Sequence, residues 1–436
     1  MNSATEMKTN QNAAPKSGGV NGGAVPRTAP TTMQAIFGAT PGMPGIFKSN
    51  FDYQLVRGML AGAYGEGGAF GELYSTARRI VDRDINSWAV EWGRTAERIE
   101  AIAEHCLSGG HVVSAREAYL RASLYWRTGL FYLESKDPRQ LAMYHRHRSC
   151  FRQAAALFDP PIEPVSIPYE NGKTLPGYFM RASATGGPRA TLMILGGADT
   201  TCEELYDFGG GAAAVRRGYN AFLWEGPGQV GAYALDSSLT FRPDWEVPTR
   251  YAVDYVLSRK DVDPKRLALS GHSMGGYLAP RAVAFEKRIS AVIANSLTPG
   301  GKAVFLAAMG LDPNAPYGDV AWDQIDLSDP MRKYLSTNFC QRLGVTEGSL
   351  PAFFDEFDRY SLAGLERKIT CPLLNFAGEG EGPLMNGLGH DFYEKLICPK
   401  TERLVRLVEG GEAHCQMNNP SLKHQIEFDW LDDIFK

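Results

Sequence analysis

The sequence predicts an α/β fold: a mostly parallel sheet with helices on both faces, behind an N-terminal helical part. Three observations carry this. From residue 164 onward, short apolar runs alternate with helix-forming stretches, the pattern of a sheet covered on both faces. The first two runs are joined by Glu170-Asn-Gly-Lys173, where Asn171-Gly172 signals a hairpin. Before residue 160, by contrast, apolar residues recur at three-to-four spacing, the period of a helix.

The 436 residues divide into three expected parts. Residues 1–45 are polar and rich in Gly, Asn, Thr, Ala and Pro. They offer too little apolar surface to offset ordering entropy and are expected to be disordered. Residues 46–160 are expected to form a helical cap domain. Ile80, Val81, Ile85, Trp88, Trp92, Ile99 and Ile102 make one apolar stripe, which Gly109-Gly110 ends. Ser114 and Glu117 read as a capping box before a helix from Ala118 to Leu133. Asp137-Pro138 starts a third helix, to about Leu157. Tyr119, Tyr125, Trp126, Phe131 and Tyr132 give this part its aromatic density. A cap over a cleft is the expected use.

Residues 161–436 are expected to form the catalytic domain. The hairpin strands are Val165–Tyr169 and Leu175–Met180. Then come strand Ala190–Leu195, a helix near Glu203–Arg217, strand Asn220–Trp224, helix Trp245–Leu257 and strand Leu267–Leu269 with its helix. Strand Ser290–Asn295 precedes a helical insertion at about 300–368. Strand Pro372–Phe376, helix Asp391–Leu396, strand Arg403–Val408 and helix Ser421–Phe435 complete the chain.

Bulk properties narrow the class. With 44% hydrophobic and 22% charged residues this is an ordinary globular composition. A net charge of −4 gives no case for nucleic acid. The seven cysteines are an odd count with no Cys-x-x-Cys pair, which reads as reduced thiols in a reducing compartment. No run has signal-peptide or membrane-span character, so a cytoplasmic location is expected. No metal or organic cofactor is expected. The partners expected are a small-molecule substrate and a second copy of the chain as a homodimer; nucleic acid and membrane are not expected.

The chemistry centres on Arg266 to Arg281. A short apolar strand runs into Gly271-His-Ser273-Met-Gly275, and a helix-forming segment follows. A Gly-x-Ser-x-Gly turn between strand and helix holds its serine at a sharp bend, beside helix N–H groups that favour an oxyanion. Ser273 is the candidate nucleophile. It needs a base. Of the eight histidines, His272 points away from its neighbour within the bend, four lie in the helical part, and His390 and His424 lie in helices. His414 follows the last strand, where the order Ser-acid-His places a base. The acid belongs in the loop after the strand Pro372–Phe376, which holds Glu379 and Glu381, with Asp391 further on. Glu381 is favoured; Glu379 and Asp391 are the competitors. Two oxyanion donors are expected: the Met274 N–H, and one from Gly196-Gly-Ala-Asp199, Ala198 or alternatively Gly197. A nucleophile after the fifth strand, with hairpin strands first, is the α/β-hydrolase order.

At these residues the sequence resembles α/β-hydrolases of fungal secondary metabolism, of the fusarin- and cytochalasin-cluster type. Polyketide-shortening pigment hydrolases belong to the same set, and 2,6-dihydroxypseudooxynicotine hydrolase and FrsA-type esterases are relatives. The strings that carry the likeness are Arg121-Ala-Ser-Leu-Tyr125, Leu175-Pro-Gly-Tyr-Phe179, Gly196 to Tyr206, Arg217-Gly-Tyr-Asn220, Glu225-Gly-Pro-Gly-Gln229, Phe241 to Glu246, the serine turn and His414-Cys-Gln. The resemblance implies a helical N-terminal cap, a Ser-acid-His triad, and C–C, ester or amide cleavage on polyketide-derived compounds. The sequence departs from the set twice. A Glu stands where the third triad member is commonly Asp, and Val230 stands where a Gly commonly ends the Gly-Pro-Gly-Gln-Gly string. The Glu225–Gln229 turn also reads as a purely structural strand exit.

The expectation is therefore a serine hydrolase acting on a carbonyl of a bulky, polyketide-derived or aromatic molecule. The rivals are an acyltransferase or cyclase using the same serine, a simple carboxylesterase, and a non-catalytic binding protein.

Overall fold

The computed structural model describes residues 46–60, 67–314, 325–346 and 348–436. The segment expected to be disordered, residues 1–45, lies outside the described residues.

Eight strands form one sheet: β1 Glu163–Pro168, β2 Thr174–Met180, β3 Arg189–Leu195, β4 Asn220–Trp224, β5 Val262–His272, β6 Ala291–Asn295, β7 Leu373–Gly378 and β8 Lys400–Val405. Their order is β1-β2-β4-β3-β5-β6-β7-β8. β2 is antiparallel to both its neighbours, and the remaining pairs are parallel. The hairpin between β1 and β2 turns on Asn171 (φ 56°) and Gly172 (φ 76°), the two residue types that adopt positive φ most readily. β4, β6 and β7 are buried at every position, because a central strand meets helices on both faces. The edges read differently. β1 alternates buried and exposed from Val165 to Pro168, and β8 fully buries only Val405.

Among the described residues, five helices precede the sheet: α1 Phe51–Leu60, α2 Phe70–Ala77, α3 Ile85–Ser108, α4 Val112–Leu130 and α5 Pro138–Ala156. α3 starts at Asp84, whose carboxylate accepts the Asn86 and Ser87 N–H groups. Asp137 caps α5 by accepting from Arg139, with Pro138 in the first turn. Trp88 and Trp92 sit at the centre of this unit with ring centroids 5.6 Å apart, and the Trp88 indole N–H donates to the Thr128 carbonyl at 2.7 Å. Each such buried aromatic contributes about 2–3 kcal/mol. The expected stripe extends too far, since Val81 and Ile102 are exposed.

Four local expectations are corrected. The Ser114–Glu117 capping box does not form before Ala118, because α4 already begins at Val112. The His111 N–H bonds back to the Cys106 carbonyl at 2.8 Å, so the three residues Gly109 to His111 are the whole turn between α3 and α4. The helix expected over 203–217 is a 3-10 turn, Glu204–Tyr206, and a helix, Gly211–Arg216, parted at Gly210 (φ 92°). The helix expected from Asp391 begins at Gly382, since Pro383 suits a first turn. The strand expected over 403–408 is Lys400–Val405, because Leu407–Glu409 forms a 3-10 turn with Val408 in solvent. Among the described residues, no helix is long and apolar enough to cross a membrane.

Candidate active site

β5 ends at His272, and the helix Gly275–Val283 starts three residues later. Between them Ser273 has φ 60°, a left-handed conformation that a side chain adopts only under constraint. Its N–H donates to the Asn295 carbonyl at the end of β6, at 2.6 Å. The helix then runs so close to that strand end that a Cβ on Gly276 would lie 1.7 Å from the Ser296 carbonyl oxygen. Only glycine fits there.

The loop after β8 folds back to this bend and carries His414 in a 3-10 turn with Cys415 and Gln416, both at positive φ. His414 Nε2 lies 2.9 Å from Ser273 Oγ. Its Nδ1 lies 2.6 Å from Glu381 Oε1. Glu381 ends the 3-10 turn Glu379–Glu381 that follows β7. The Ser296 hydroxyl, just past β6, donates across both Glu381 oxygens at 2.7 and 2.6 Å. The Gly378 and Cys415 N–H groups add contacts at 3.3 and 3.4 Å. Of the three acids considered, the structure brings Glu381 to the histidine. Glu379 turns outward and accepts the Leu407 N–H at 2.8 Å, and Asp391 lies exposed on its helix. Burial opposes charge on His414, but the Cys415 and Glu381 side chains outweigh it, and its pKa stands well above the ordinary imidazole value. His272 is buried against the Phe208 ring, away from the serine, and burial pushes its pKa well down.

The turn after β3 is held from behind, carbonyl by carbonyl. The Gln229 side-chain amide donates to the Gly196 carbonyl at 2.8 Å and to that of Gly197 at 3.2 Å. Arg342, from the insertion, donates to the Ala198 carbonyl and to that of Gly228 at 3.2 Å. Arg127 of α4 donates to the Asp199 carbonyl at 2.8 Å. In a trans peptide the carbonyl and the next N–H point in opposite directions. Fixing the Gly197 carbonyl on Gln229 therefore turns the Ala198 N–H away from Gln229. The turn presses on the serine bend: a Cβ on Gly197 would lie 2.7 Å from the Ser273 Cβ and 2.8 Å from the Met274 nitrogen. The Glu225–Gln229 turn, readable as a mere strand exit, thus supplies the clamp on this loop.

Ser273, Met274, Ala198 and His414 share the wall of a cleft whose empty space, open solvent included, is about 780 Å³. Phe305, Met331, Leu335, Phe357 and Tyr360 make most of the remaining wall apolar. All five come from the insertion after β6. Among the described residues, no N-terminal aromatic lines this chamber. Tyr125 and Tyr132 pack instead against Trp92, Trp88 and Phe51.

Among the described residues, Cys202, Glu203 and Glu225 form one group whose ligand atoms could converge on a metal ion. These atoms already have protein partners. Glu225 accepts the Cys202 N–H at 2.6 Å and the Gly231 N–H at 2.5 Å, and Glu203 accepts the Tyr178 hydroxyl at 2.9 Å. Burial, with Glu203 nearby, pushes the Glu225 pKa up to about 7.

Sequence reasoning passed over Ser296, Arg342, Arg57 and Arg127. For Ser296 a signal existed, since it follows a strand adjacent to the serine's own. The arginines carried none, because the residues of the turn after β3 that they hold lie 70 or more positions away in the chain.

Comparisons with known proteins agree with this architecture. The Alpha/beta hydrolase family matches residues 205–417. The chain is 37% identical to the alpha/beta hydrolase xenA of Xenoacremonium sinensis over 418 residues, 88% of this chain and 96% of that protein. It is 37% identical to the 20-hydroxy-prefusarin hydrolase FUS2 of Gibberella moniliformis over 261 residues, 58% of this chain and 61% of that one. Among solved structures, a 2,6-dihydroxy-pseudo-oxynicotine hydrolase superposes with a TM-score of 0.65 at 22% identity, over 87% of this chain and 95% of that chain, a likeness of fold.

Proposed function

The chain belongs to the alpha/beta hydrolase family, and we propose that within it this protein is a serine hydrolase acting on a carbonyl of a bulky, apolar small molecule of fungal secondary metabolism. The observation that carries this reading is the continuous contact from Ser273 Oγ through His414 to Glu381, at 2.9 and 2.6 Å. His414 Nε2 takes the serine proton as Oγ attacks the carbonyl carbon. The Met274 and Ala198 N–H groups receive the oxyanion. Glu381, accepting from Nδ1–H, fixes the tautomer and stabilises the imidazolium. His414 then protonates the leaving group, and water, deprotonated by the same imidazole, releases the acyl group and restores Ser273.

The leaving group is an alcohol, an amine, or a carbon beside a second carbonyl that departs as an enolate. The apolar, aromatic chamber supports a large polyketide-derived or aromatic substrate. The name of FUS2 supports the same class, since it acts on a prefusarin. A fluorophosphonate probe on the purified protein tests the core of the reading. Labelling at Ser273, lost in Ser273→Ala, is the expected result; no labelling of the folded protein overturns it. A panel of p-nitrophenyl esters against 1,3-diketones then separates ester from C–C cleavage.

A further inference from the structure

Next to the serine's chamber lies a second cavity, about 730 Å³ of empty space with open solvent included, bounded by Arg127, Phe131, Val230, Tyr233 and Arg342 among others. Asp199 and Tyr334 belong to the walls of both cavities. These two shared residues mark where the cavities adjoin, the waist. Val230, one of the two positions where the sequence departs from its relatives' pattern, supplies apolar wall to the second cavity.

Asp199 directly follows Ala198, so a carboxylate adjoins an expected oxyanion donor. A bare negative charge there would oppose the oxyanion. The structure compensates it. Arg57 reaches Asp199 Oδ2 at 3.0 Å and Glu204 Oε1 at 3.0 Å, and Arg127 reaches Glu204 Oε2 at 2.6 Å. Within this network Glu204 is sealed, its side chain 5% exposed, whereas that of Asp199 is 18% exposed and borders both cavities. Burial opposes ionisation of Asp199, but Arg57 and Arg127 outweigh it and hold its pKa below the usual carboxylate range. An ionised carboxylate can only accept hydrogen bonds. Opposite it, the Tyr334 hydroxyl accepts from Arg342 at 2.5 Å and keeps one proton to donate.

We propose that Asp199 is a substrate-recognition residue: its carboxylate accepts a hydrogen bond from a hydroxyl or enol group near the attacked carbonyl, on a substrate that passes between Asp199 and Tyr334 into the second cavity. The proposal rests on Ser273 being the nucleophile. The substrate class it names is a hydroxylated or enolised carbonyl compound long enough to occupy both cavities. A substrate carboxylate at the waist would be repelled.

The probes are two boronic acids that differ only in a hydroxyl β to boron, each forming a tetrahedral adduct with the serine. The wild-type protein is expected to bind the hydroxylated one about tenfold more tightly or better, the worth of a hydrogen bond to a charged acceptor. Asp199→Ala is expected to bring the ratio to about one. Asp199→Asn, which keeps an acceptor without the charge, restores part of it. A wild-type ratio near one overturns the proposal, and this measurement needs no variant to fold. An equal loss for both boronic acids in a folded Asp199→Ala protein also overturns it, since the side chain would then only position the loop. Failure of the fluorophosphonate to label wild-type Ser273 would overturn this proposal and the triad reading together; labelling with a ratio near one overturns this proposal alone.

Discussion

Glu381 Oε1 and His414 Nδ1 stand 2.6 Å apart in a site where both side chains are almost completely buried. With Nδ1 committed to the carboxylate, Nε2 is the nitrogen left to face Ser273. In the proposed mechanism the pair sets the orientation of the base, and Cys415 together with Glu381 sets the pH range in which it works.

A base that has already bound a proton cannot take one from serine. Because His414 titrates well above the ordinary imidazole value, activity should fall as pH drops through that raised pKa. The acid limb of kcat/KM should accordingly lie above pH ~6.5. Glu381→Gln removes the charge that favours the imidazolium, so the limb should move to lower pH while kcat falls by roughly 10²–10⁴-fold. A pH–rate profile of both proteins checks this; an unmoved limb would mean that Glu381 does not act on the base.

Ser296→Ala removes the hydroxyl that spans both Glu381 oxygens. A hydrogen bond to a buried charge contributes about 1.5–3 kcal/mol. The variant should lose stability of that order and turn over more slowly, because the carboxylate is no longer fixed against His414. Denaturant melts and kcat on one sample measure both effects.

Gln229→Ala frees the Gly196 and Gly197 carbonyls. If the Ala198 N–H serves the oxyanion, kcat should fall by about 10-fold or more with little change in KM, since the contact forms only in the transition state. A rise in KM alone would place Gln229 in ground-state binding instead.

Trp88→Ala empties the centre of the helical unit, where Phe51, Trp92 and Tyr132 surround the ring. Losing a buried indole costs about 3–5 kcal/mol. Urea unfolding should register this loss, while fluorophosphonate labelling per folded molecule should change little, because among the described residues none of the ring partners of Trp88 lines the serine's chamber.

Much of the fold could be read from local pattern. β4 and β6 are short apolar runs, and such a run has few alternatives to a central strand. The serine bend was equally local, since a left-handed residue between a strand and a close-packed helix requires glycines at fixed offsets. Boundaries were read less well where a residue type suits two structures. Pro383 reads as loop yet opens a helix, and Ser114 reads as a cap yet lies inside one.

What the sequence by itself determined was therefore the element order, the bend at Ser273, and the loops able to deliver a base and an acid. Those follow from chain-local sterics and from strand order. Tertiary structure alone decided which glutamate meets His414, which arginines hold the turn after β3, and which segment roofs the chamber. Glu379 and Glu381 are two residues apart and chemically identical, and the backbone turn at the end of β7 sends one outward and the other inward. The arginines and the aromatic wall depend on how distant segments dock, and burial energy is indifferent to chain position, so no spacing in the sequence records it.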